Sequence, residues 1–219
     1  MNRQSPWHRI DAFADAAFAF AASLLLLGGA ALPDSHDQMR DALARVPAFA
    51  LGFAIIAMFW SAHVRWRRLA GPDGFASIFL TLVLIFLVLV YVIPLRLASA
   101  AATAFAGLGH PGSAGMGEVR LAELFAIYGA GFAAMALAVA GLFGQARRTG
   151  PRPAEAATEE AIHLILAAAG LVSGWLALMP GTVTLAPWVY PLIGPAIGLY
   201  LVLAGGRDRP TLPPGPRGR

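Results

Sequence analysis

A chain of 219 residues with 58% hydrophobic and 13% charged residues is far from the roughly 25% charged of a soluble domain and reads as an integral membrane protein. Cysteine is absent, which excludes disulfides and thiolate metal sites. The basic balance, net +4 with an isoelectric point of 10.3, would point to nucleic acid only if the basic residues clustered on one soluble face. All 16 are arginines in short stretches between apolar runs, so topology explains them and no nucleic-acid partner is expected. An arginine-only, alanine-rich chain also fits a GC-rich bacterial genome.

The first apolar stretch, Arg9 to Leu27 (RIDAFADAAFAFAASLLLL), begins with charges and places Asp15 inside an otherwise apolar run. The run continues to Leu32, and a helix over 12–32 would be roughly 30 Å long, the thickness of the hydrocarbon core. A carboxylate there costs about 2.5 to 3.5 kcal/mol, so Asp15 requires a partner. Arg9 lies about 120° around the helix, which points to a partner on another helix. A cleaved signal peptide fits poorly, because its apolar core is typically about 7 to 15 residues long and lacks acids such as Asp11 and Asp15.

Residues 33–45 form a polar connection suited to a brief interfacial helix. A second span is predicted over 46–66, ending in Arg65, Arg67 and Arg68, with Gly71, Pro72 and Gly74 as breakers. The third is predicted over 75–97, followed by an Ala/Gly/Ser-rich flexible extramembrane loop over 99–117 with room for a short helix in its alanine-rich half. The fourth follows over 120–144, then a polar linker over 145–160. The fifth and sixth, 161–179 and 185–203, are joined by a tight turn at Pro180 and Gly181. Pro187, Pro191 and Pro195 predict irregularity in the sixth. The Arg/Pro-rich tail, 205–219, is expected to be disordered.

The chain is thus expected to be an all-α membrane protein of six transmembrane helices, with both termini on one side. That side collects 12 arginines: Arg3, Arg9, Arg65, Arg67, Arg68, Arg147, Arg148, Arg152, Arg207, Arg209, Arg217 and Arg219. The other side has Arg40, Arg45, Arg96 and Arg120. The positive-inside rule makes the termini cytoplasmic.

Trp60 and His63 lie three residues apart on one face of the second span, at the membrane level of Asp15. An Asp15–His63 contact would satisfy both groups. Phe20, Leu24, Leu27 and Ala31 recur at steps of four, three and four, one stripe along the first helix, bordered by Ser23. Periodicity alone favours packing or lipid contact for that stripe. Arg120 and Glu123 form a solvated helix start. His163 and Ser173 are about 15 Å apart along one helix, too far for a nucleophile and its base. The five histidines make no i, i+4 pair, so no metal site is expected, and no phosphate-binding glycine loop is present.

Arg9-x-x-x-Phe13-Ala14-Asp15 resembles the Arg-x-x-x-Phe-Ser-Asp signature that opens the first helix of the endolysosomal potassium channel family (transmembrane protein 175 type). Phe59-Trp60-x-x-His63, followed by arginines, is similar to that family's second helix. The resemblance implies a bacterial inner-membrane homotetramer in which four first helices line a pore for monovalent cations. It implies a potassium-permeable channel with no cofactor and no enzymatic activity. Phe20, Leu24, Leu27 and Ala31 would form the constriction and lining, and Ser23 would take the hydroxyl position implicated in selectivity. Arg9, Phe13, Asp15, Trp60 and His63 would form a structural polar network. Ala14, Phe20 and Gly28 depart from the family's usual serine, isoleucine and acid. The competing readings are a proton-coupled small-solute transporter, with Asp15 and His63 carrying protons, and a non-conducting membrane subunit. An intramembrane hydrolase is weakest, since no nucleophile and base can be assigned.

Overall fold

The structure, a computed structural model, describes residues 6–27, 34–71, 74–108 and 117–205. Every regular element among them is helical: α1 (Pro6–Leu27), α2 (His36–Ala44), α3 (Val46–Leu69), α4 (Phe75–Phe105), α5 (Glu118–Thr149), α6 (Pro153–Leu178), a 3-10 helix (Val183–Leu192) and α7 (Ile193–Gly205). Ala31, Gly28 and residues 206–219 of the predicted tail lie outside the described residues, as does the side chain of Leu27. Among the described residues, five stretches are long and apolar enough to cross a membrane: α3, α4, α5, α6 and Val183–Ala204.

Local chemistry explains where the helices begin and end. Ser35 caps α2, its Oγ accepting from the Gln38 backbone N–H at 3.3 Å, so the connection before α3 does contain a short helix, with no buried residue. Pro47 and Pro153 lie in the first turns of α3 and α6, where the missing N–H would have no intrahelical partner anyway. The third span runs further than 75–97. Its alanine-rich continuation is a strong helix former, and α4 persists through Phe105, taking in the first part of the predicted loop, 99–105. The 145–160 linker is likewise mostly helix, because α5 reaches Thr149 and α6 starts at Pro153.

The last span is the most altered. In an α-helix each interior proline loses a hydrogen bond and meets the carbonyl four residues earlier. Pro187 and Pro191 fall within the 3-10 helix, and α-helical geometry resumes only at Ile193. Pro195 then sits in the first turn of α7, where it costs little. The turn before it passes through Gly181 at φ +78°, as Pro180-Gly181 predicts. Gly205, placed by sequence in the disordered tail, closes α7.

Helices α5 and α6 approach each other closely by backbone. A Cβ on Gly129 would stand 2.5 Å from the Gly170 carbonyl oxygen, and one on Gly170 would stand 2.7 Å from that of Gly129. Small residues at such crossings let helices associate by van der Waals packing, which matters where lipid removes the hydrophobic drive. Phe59, Phe125, Phe132, Phe143, Leu84 and Leu95 fill the core between α3, α4 and α5.

Candidate functional site: the first helix and its polar end

One face of α1 is buried: Ala14, Ala17, Phe18, Ala21 and Leu25. These positions span about 100° of the helix. Ala14 and Ala17 pack with Ile85 and Leu89 of α4, and Phe18, Ala21 and Leu25 join the main core. The alanines bring α1 close to its neighbours, as small residues do between membrane helices. The remaining arc is left uncovered by the chain's own helices. Phe20 is 57% exposed and Leu24 37%, and Ser23 is exposed beside them. The Ser23 hydroxyl donates to the Ala19 carbonyl one turn back at 3.0 Å, so its oxygen lone pairs stay directed outward from the ladder.

Two polar links hold α1 to α3. The Trp60 indole Nε1–H donates to Asp15 Oδ1 at 2.9 Å. Arg67 Nε lies 3.0 Å from Asp11 Oδ1 and 3.2 Å from Oδ2, and its guanidinium covers the Trp66 ring, 5.3 Å from the centroid. Towards the other end of α1, a Cβ on Gly52 would meet Leu25. The pairs 11–67, 15–60 and 25–52 fall in reverse order, so α1 and α3 run antiparallel.

The partner of Asp15 is on another helix, as the cost of an isolated acid requires, but it is not His63. The His63 ring packs on Trp66, centroids 5.3 Å apart, and its Nε2 has no hydrogen-bond partner among the described residues. The expected Asp15–His63 contact is therefore corrected: on α3, Trp60 reaches the carboxylate, while His63, less than one turn further along, turns into the buried face. Arg9 and Phe13 are exposed, and neither takes part in the Asp15–Trp60 bond. Of the five residues assigned to a network, the structure brings two together.

Sequence reasoning missed the Asp11–Arg67 pair, although a signal existed. Asp11 and Asp15 are four apart, and Trp60 and Arg67 seven apart. Each spacing keeps its pair on one face, so antiparallel helices meet at two rungs. More links gather at the same end of the bundle. Arg65 pairs with Glu159 at 3.4 Å and Arg147 with Glu160 at 2.9 Å. Arg152 donates to the Arg68 carbonyl at 3.1 Å, and Ser77 donates to Gln145 at 2.9 Å. This end thus ties α1, α3, α4, α5 and α6 together through charges and hydrogen bonds.

His163 and Ser173 are separately engaged. His163 Nδ1 lies 2.7 Å from the Glu159 carbonyl, and its ring packs on Phe143. Ser173 donates to the Ala186 carbonyl at 2.9 Å, fixing the 3-10 helix to α6. No group of three or more metal-ligating side chains occurs among the described residues.

Residues 9–94 match the model of the endosomal/lysosomal potassium channel TMEM175 family. The resemblance read from the first two spans is thereby borne out over the segment that carries α1, α3 and most of α4. The whole fold is similar to solved TMEM175 structures. One is a variant of the potassium channel MtTMEM175, crystallised in complex with a nanobody fusion protein, at 23% identity and a TM-score of 0.75, covering 94% of this chain and 95% of that one. Another is a lysosomal potassium-selective channel TMEM175 homologue from Chamaesiphon minutus, at 24% identity and a TM-score of 0.62, covering 90% and 98%. No curated protein matches the sequence. Beyond residue 94 the likeness to TMEM175 proteins is one of fold.

Proposed function

We propose that the chain is a subunit of a homotetrameric, potassium-permeable cation channel in a bacterial inner membrane, with α1 as a sixth span and four copies of it lining a central pore. The observation that supports this most directly is the division of α1 into a packed back and an uncovered arc. A helix facing lipid would expose an apolar arc throughout. This one also exposes Asp15, an acid that is costly against hydrocarbon and suited to a water-filled path, and Ser23, whose hydroxyl is already bonded to its own helix. The gathering of Arg65, Arg67, Arg147 and Arg152 at one end agrees with cytoplasmic termini under the positive-inside rule.

In this reading Phe20 and Leu24, with Leu27 and Ala31 beyond them, form successive apolar rings about 5 to 6 Å apart along the axis. A hydrophobic constriction controls conduction by setting how readily water and a hydrated cation occupy it. Ser23 places a hydroxyl between those rings. The Asp15–Trp60 and Asp11–Arg67 links hold each α1 in register on its own α3, which keeps the rings aligned. The permeant ion is cargo, and the mechanism calls on no bound cofactor.

The test is potassium and sodium flux through the purified protein in liposomes. Phe20→Ala widens the narrowest ring and is expected to raise flux by about tenfold, equivalent to lowering the barrier by only ~1.4 kcal/mol. Unchanged flux from a correctly assembled tetramer would remove Phe20 from the pore. Saturable, solute-specific and pH-dependent uptake would instead establish the proton-coupled transporter.

A further inference from the structure

A cavity of about 440 Å³ lies between α3, α4, α5, α6 and the 3-10 helix with the start of α7. From α3 it takes Leu51 and Ile55, in the half of that helix opposite Arg65, Arg67 and Arg68, and Met58 at its middle. Its deep wall includes Phe125, 1% exposed, and Leu166, 4% exposed. Its rim includes Phe105, 43% exposed, and Trp188, 59% exposed. The hydroxyls of Ser99, Tyr128 and Tyr190 are the polar side-chain groups of an otherwise apolar lining.

The lining narrows the occupant. Ser99 Oγ and Tyr190 Oη, buried without a hydrogen-bond partner among the described residues, can hold a water at one place on the wall, but water needs two to four polar partners and the apolar remainder of the lining does not supply them for a cavity of this size. An empty space of this volume would forfeit the dispersion contacts of every side chain around it. The cavity is built from stretches that are long and apolar enough to cross a membrane, so the matter surrounding its rim is lipid hydrocarbon. None of its lining comes from α1, the helix at which copies meet under the proposed assembly. A neighbouring subunit is therefore the less suitable occupant, and on that point alone the choice rests on the tetramer reading.

We propose that this cavity binds one acyl chain of a bilayer lipid, which enters past Trp188 and Phe105 and ends against Phe125 and Leu166. The wall residues then gain the contacts that an empty cavity would lack. A chain in this place also wedges the 3-10 helix, which Ser173 fixes to α6, against the outer halves of α3 and α4.

The experiment is photolabelling of the full chain in liposomes of phosphatidylcholine carrying a diazirine on one acyl chain, with adducts mapped by peptide mass spectrometry. The wild type is expected to carry adducts on Phe125 and Leu166, which lipid around the bundle cannot touch, as well as on exposed residues such as Phe79 and Leu199. Ala102→Phe, which fills the cavity from α4, is expected to lower the deep adducts at least tenfold while Phe79 and Leu199 label as before. Gly194→Leu does the same from the opposite wall, where a Cβ meets nothing within 4 Å, and serves if Ala102→Phe does not fold. Labelling confined to exposed residues in the wild type would overturn the proposal, as would deep adducts that persist in a folded cavity-filling variant. The readout does not depend on conduction, so silence in the flux assay leaves it intact.

Discussion

Replacing Trp60 by phenylalanine keeps a ring of similar shape and removes the one donor that reaches Asp15, the Nε1–H at 2.9 Å. Hydrogen bonds between membrane helices average about 0.6 kcal/mol and reach about 1.7. The ionised acceptor moves this bond up that range, and the 43% exposure of Trp60 moves it down. The balance is a coupling of ~1 kcal/mol, about fivefold in the folding equilibrium. Single variants do not isolate it, because Asp15→Ala also removes the cost of placing an acid at membrane depth. A double-mutant cycle with Trp60→Phe and Asp15→Ala does, read by far-UV circular dichroism during titration with dodecyl sulfate in mixed micelles. The companion cycle, His63→Ala with Asp15→Ala, is expected to be additive within the ~0.3 to 0.5 kcal/mol typical of sites with no shared partner. Additivity in the Trp60 cycle, or a larger coupling in the His63 cycle, would refute the assignment of Trp60 as the partner.

Two further substitutions test other parts of the framework. Gly129→Ala places a methyl group 2.5 Å from the Gly170 carbonyl oxygen and 2.8 Å from the Gly174 nitrogen, and is expected to cost about 1 to 3 kcal/mol in the same titration. Gly198→Ala, inside α7 with nothing within 4 Å, should lose no stability and gain up to ~1 kcal/mol from helix propensity. Arg67→Gln removes the pair to Asp11, whose side chains are 26% and 34% exposed. Its cost should be below ~1 kcal/mol and should shrink as salt screens the wild-type pair, whereas a salt-independent loss would mean that the arginine acts through packing on Trp66.

The spans are legible in the sequence because a membrane helix announces itself by apolar length, and their ends are not, because the chain has two kinds of helix former. Ser99 to Phe105 is alanine-rich and polar enough to resemble a loop, yet alanine propensity carries α4 through it. In the sixth span the prolines announce an irregular helix but not its form, since the loss of a bond at Pro187 and Pro191 can be absorbed by a kink or by a 3-10 segment. Asp15 is legible as an anomaly because an acid in hydrocarbon needs compensation whatever the fold. Its partner is not, because depth matching places Trp60 and His63 almost equally well. The difference is rotation: residues three apart on a helix differ by about 60° in direction, enough to point Trp60 at α1 and His63 at Trp66. The cavity has no sequence signal, being assembled from α3, α4, α5, α6 and the 3-10 helix, far apart in the chain.

Taken together, the contacts position α1 on two neighbours, with apolar packing on α4 and the polar links on α3. The buried face of α1 is mostly alanine, which brings little side-chain area to the interface. Its register is set by the two polar rungs from Asp11 and Asp15 to α3 together with Phe18 and Leu25, which are buried in the core. The same end of α3 is anchored to α6 through Arg65 and Glu159 and through the Arg68 carbonyl and Arg152. By contrast α5 and α6 are locked by backbone approach at Gly129 and Gly170, an arrangement that packing density keeps rigid. A small rotation of α3 about its own axis would shift both rungs, and with them Phe20 and Leu24, without disturbing the α5–α6 pair. Partly exposed polar links are thus among the contacts that set the position of the helix proposed to carry the ions.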